Sequence, residues 1–166
     1  FGPDLKLTVT GAALKQYTGS DKLRFEGPLR IEGPGDLRID AGATIEAVGA
    51  VTLAGARVTA SGCCSGPDAV FAAKDVTVDR AAGKSSLNTL QARFTGTVDL
   101  NGATLEIDTL DPAFEGSAAL RLEGGVLRTG GSPAFGPSAK LLGPGTVYGR
   151  VVMEGTVTFA TRGLLF

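Results

Sequence analysis

One short pattern recurs through this chain at a nearly constant interval. Leu7-Thr8-Val9-Thr10-Gly11 is followed 22 residues later by Leu29-Arg30-Ile31-Glu32-Gly33, and after another 22 by Val51-Thr52-Leu53-Ala54-Gly55. Val76-Thr77-Val78 arrives three residues late, and the spacing then resumes with Val98-Asp99-Leu100-Asn101-Gly102 and Leu120-Arg121-Leu122-Glu123-Gly124. Each copy alternates apolar and polar residues, as a short strand with one buried face does. A period of this length signals a stack of repeated units.

Two further tracks share the rhythm. The second takes in Leu23 and Phe25, Ile45 and Ala47, Phe94, Phe114, Phe135, and finally Val157 with Phe159. The third takes in Leu37 and Ile39, Val58, Leu105 and Ile107, Val126 and Val147. Three short strands per repeat predict an all-β, parallel β-helix (β-solenoid) with rungs of about 22 residues and roughly seven rungs. Right-handed coiling is expected from the general preference of parallel crossovers. The strands are too short, and their turns too frequent, for a β-sandwich.

The whole chain of 166 residues reads as one solenoid domain. Residues 1–22 make the first rung, with Ala12-Ala13-Leu14-Lys15-Gln16-Tyr17 as a possible cap. Two longer corners interrupt the coil, at 61–68 and 80–89. Such insertions in repeat proteins map to loops, often on a binding side. Residues 160–166 form an apolar C-terminal tail.

Composition narrows the chemistry. Sixteen basic against seventeen acidic residues leave no field to attract nucleic acid, and no apolar run is long enough to span a bilayer. There is no His, which removes the commonest general base and metal ligand. It also argues against the hexapeptide-repeat acyltransferases, whose usual base is a His. Gly33-Pro34-Gly35 and Gly143-Pro144-Gly145 lack the Lys-Ser/Thr and the helix of a phosphate loop, and read as corners. The start at Phe1 suggests type IV pilins, but Gly2, Pro3, Asp4 and Lys6 interrupt the apolar helix such a protein needs.

Three constellations could carry chemistry. Cys63-Cys64 could close a vicinal disulfide, bridge to other chains or stay reduced; a metal site would need further ligands. The pairs Asp36/Asp40, Asp75/Asp79 and Asp108/Asp111 could act as glycosidase carboxylates, although charged corners of a solenoid are usually only solvated. The outward ladder Thr8, Arg30, Thr52, Thr77, Asp99, Arg121 is too mixed in charge for the flat Thr array of an ice-binding face.

Leu29-Arg30-Ile31-Glu32-Gly33, together with 41–47 and 55–59, resembles the bactofilins, bacterial β-helix proteins that stack end to end into filaments without nucleotide. The resemblance implies rung-on-rung assembly and no cofactor. The expected role is a non-enzymatic structural subunit that polymerises head-to-tail, outside the cell or on its surface. Its joint would use Phe1, Leu5, Leu7 and Val9 at one end and Leu164, Leu165 and Phe166 at the other. The alternatives are a carbohydrate-binding or carbohydrate-cleaving β-helix, holding a surface glycan at the two long corners, and a cytoplasmic bactofilin-like scaffold.

Overall fold

The computed structural model describes residues 2, 7–9, 22–33, 36–61, 69–88, 91–108 and 112–158, with backbone alone at 7–9, 36, 61 and 156–158. The chain is a β-solenoid with three parallel walls. The first wall stacks β1 (Leu7–Val9), β3 (Leu29–Glu32), β6 (Val51–Ala54), β9 (Val76–Val78), β12 (Thr97–Asp99), β15 (Ala119–Arg121), β18 (Lys140–Leu142) and β21 (Thr156–Thr158). The second stacks β4 (Asp36–Asp40), β7 (Arg57–Ser61), β10 (Ser85–Asn88), β13 (Thr104–Asp108), β16 (Val126–Thr129) and β19 (Thr146–Tyr148). The third stacks β2 (Lys22–Phe25), β5 (Thr44–Ala47), β8 (Val70–Ala73), β11 (Gln91–Phe94), β14 (Ala113–Phe114), β17 (Ala134–Phe135) and β20 (Val152–Met153).

The first wall follows the sequence period. Leu7 lies over Leu29, Leu29 over Val51, Val51 over Val76, Val76 over Val98 and Val98 over Leu120. Alternation sends one residue inward and the next outward, so the inward aliphatics of successive rungs lie on one another. Ile31, Leu53, Val78, Leu100 and Leu122 form a second interior column beside them, each 0% exposed.

On the third wall the interior columns exchange bulk. Where Phe71 stands between Ile45 and Ala92, the adjoining column holds Ala73 between Ala47 and Phe94. At the Phe71 and Phe94 levels one ring therefore fits beside one methyl, and interior density is kept. From Phe94 the column is aromatic: the Phe94 and Phe114 rings are 5.1 Å apart, and Phe114 stacks on Phe135 at 4.3 Å.

The structure departs from the sequence expectation in three places. Residues 80–89 are not one long corner: Arg80–Ala82 is a single 3-10 turn, and Ser85–Asn88 is a full strand of the second wall. Ser85 hid that strand, because it is a hydroxyl where an aliphatic is expected; it is fully buried and accepts a hydrogen bond from the Ala56 N–H at 3.3 Å. Val157 belongs to the first wall, over Leu141, and Met153 instead ends the third wall over Phe135. Leu127, not Val126, is the inward residue of β16.

The turns also shorten toward the C-terminus. On the first wall the step is 21 residues from Leu120 to Leu141 and 16 from Leu141 to Val157.

Corners need special backbone. Asn101 and Gly102 both take positive φ, 44° and 75°, closing a tight reversal that the Ala103 N–H bonds to the Leu100 carbonyl at 2.7 Å. Gly49 answers a different demand: a Cβ there would run into the carbonyl oxygen of Gly27 in the rung below.

Candidate assembly surfaces

The walls carry charge in ladders. On the first wall Thr8, Arg30, Thr52, Thr77, Asp99 and Arg121 stand in register, and Leu142 follows. Arg30 binds Glu32 on its own strand and reaches across a rung to Asp79 at 3.3 Å. Glu32 first, and Asp79 after it, raise the Arg30 pKa above its ordinary value, against the opposing effect of burial.

On the third wall Glu46 receives Lys22 and Arg24, both at 2.9 Å. The Lys22 ammonium, and then Arg24, hold the Glu46 carboxyl below its usual range. On the second wall Asp36, Arg57, Ser86, Glu106, Arg128 and Tyr148 share one register line, and Lys84 pairs with Glu106 at 2.9 Å. Arg128 lies 4.2 Å from the centroid of the Tyr148 ring.

Of the carboxylate pairs named from the sequence, Asp75 and Asp79 have backbone partners. Asp79 accepts from the Ala81 N–H at 3.0 Å, capping the 3-10 turn, and also holds Arg30. Asp75 accepts from the Thr97 N–H at 2.9 Å in the next rung. Asp108 stands at the exposed end of β13, while Asp111 lies outside the described residues. Asp36 and Asp40 sit at opposite ends of β4. Among the described residues no group of three His, Cys, Asp or Glu could hold a metal ion, and no helix is long and apolar enough to cross a membrane.

Of the residues named for the joint, Leu7 and Val9 lie on β1, the first strand of its wall. Phe1, Leu5, Leu164, Leu165 and Phe166 lie outside the described residues, as do Cys63, Cys64 and most of the 61–68 corner. Near both ends of the described coil, interior side chains are buried. Phe25, on the first strand of the third wall, is 4% exposed, and Val147, on the last strand of the second, is 1% exposed.

The sequence reading did not single out the C-terminal rung, yet two of the three exposed large apolar side chains among the described residues stand there. They are Tyr148, 49% exposed, and Val152, 43% exposed; Val48 is the third. Tyr148 was legible, because alternation about the inward Val147 turns it outward. Val152 was not, because Val151-Val152-Met153 is apolar throughout and does not declare its faces. Among the described residues, each stands on the last strand of its wall.

These features define a class: a three-walled β-solenoid with charge-laced walls and an apolar patch at one extremity. Comparison with protein-family models, with curated proteins and with solved structures finds no match to this chain, so the class rests on the coil itself.

Proposed function

We propose that this chain is a structural subunit whose solenoid joins further copies end to end, building a filament or surface layer outside the cell. The observation that carries this reading is the placement of Tyr148 and Val152 on terminal strands, while the walls between the extremities are dressed in ion pairs. A terminal parallel strand also offers the backbone groups that a further strand would use.

The simplest arrangement is head-to-tail, because unlike ends in contact do not close and therefore propagate. Since Phe25 and Val147 are already covered, the joint adds strand pairing and surface apolar contact rather than closing an open core. Burying apolar surface contributes about 25 cal/mol per Å² before the costs of association. Leu164, Leu165 and Phe166 would supply part of it against the next copy's first rung. The bactofilin-like repeat supports the same mechanics in a cytoplasmic scaffold.

Negative-stain microscopy of the purified chain over a concentration series tests this. Rods joined end to end are expected, and loss of residues 163–166 should leave folded single rods. Single particles at every concentration would overturn the reading.

A further inference from the structure

The last strand of the third wall has a partner on one edge only, and its charge pattern is self-complementary. Among the described residues, β20 pairs with β17 and with nothing beyond it. The Val152 N–H donates to the Pro133 carbonyl at 3.0 Å, and the Glu154 N–H to the Phe135 carbonyl at 2.9 Å. Strand alternation therefore turns the N–H and C=O of Val151 and Met153 toward the other edge. Arg150, Val152 and Glu154 are all exposed, placing a cation, an aliphatic and an anion at alternate positions. Neither Arg150 nor Glu154 forms an ion pair among the described residues.

We infer that this edge binds the same edge of a second copy, antiparallel, about a two-fold axis through Val152. That register sets Val151 opposite the partner's Met153, so their outward N–H and C=O groups exchange hydrogen bonds. Val152 then meets its own counterpart as a non-hydrogen-bonded pair, where side chains approach closest. Arg150 of each copy lies opposite Glu154 of the other. The contact is isologous: one patch serves both partners. An edge of opposite polarity at the N-terminal end of the third wall, β2, offers no such match, since in continued register Glu26 would fall over Glu154. The inference rests on the reading that the ends self-associate, and it gives the C-terminal end a like mate in place of the head-to-tail one.

Sedimentation equilibrium of the full chain and five variants, each checked for folding by circular dichroism, tests it. The wild type should dimerise, and Arg150→Glu or Glu154→Arg should each weaken the dimer about tenfold or more by setting like charges opposite. The double variant R150E/E154R should restore it, and Val152→Lys should abolish it. If association persists unchanged in the single reversals, this edge is not the joint, although the end-to-end reading stands. A wild type that is monomeric throughout overturns both. A monomeric full chain whose variant ending at Thr158 dimerises would assign the edge to the chain's own tail, and would likewise overturn the inference.

Discussion

At the scale of single residues, the outward side chains work in small cross-rung sets. Glu46 joins two strands of the third wall through Lys22 and Arg24, and its carboxyl is held below the usual range chiefly by the Lys22 hydrogen bond. A carboxyl depressed in the folded state contributes stability above its unfolded pKa, and that contribution fades as pH falls through the folded pKa. Glu46→Gln should therefore be less stable than wild type near pH 7, and the difference should close in acid. Thermal melts at the two extremes of pH read this directly; a gap that persists in acid would mean that Glu46 acts through something other than its charge. Asp75 and Asp79 belong to the same order of things. Their carboxylates accept from the Thr97 and Ala81 N–H groups at corners.

At the scale of elements, the third wall depends on its aromatic column. Phe114 lies between Phe94 and Phe135 and is 1% exposed, so truncation leaves a void with rings above and below it. Phe114→Ala should cost about 3–5 kcal/mol, as large-to-small changes in well-packed interiors do. Urea unfolding measures it, and a loss below about 1 kcal/mol would mean that the column collapses to fill the space. Elements also decide how much could be read without the structure. The first wall was legible from β1 to β15, because each of those copies keeps an aliphatic at both alternating apolar positions. Val70–Ala73 and Ser85–Asn88 were not. Both follow the lengthened corner that displaces the period, one swaps a large and a small residue between columns, and the other buries a hydroxyl. The last strand, β21, reads onto the wrong wall because the turns shorten there, and a fixed period then points one wall astray. The apolar patch was half legible for the reason given above: Tyr148 alternates with its neighbours, and Val152 does not.

At the scale of the whole molecule, a stack in which each rung touches mainly its neighbours behaves as a one-dimensional array. Local opening should start at the extremities and reach the middle last. Amide hydrogen exchange should accordingly find the greatest protection in β9, β12 and β15, with protection falling toward β3 and β20. Uniform protection along the coil would indicate a single cooperative unit instead. The shrinking turns have their own outcome. A step of 22 residues between Leu7 and Leu29 becomes 16 between Leu141 and Val157, so the girth at one extremity differs from that at the other. Copies laid head to tail would meet a mismatch of outline at every seam, whereas like ends would meet with equal outlines. The eight strands of the first wall, at about 4.8 Å each, would place the mismatched seams roughly 40 Å apart. A fibre made this way would be visibly beaded rather than smooth.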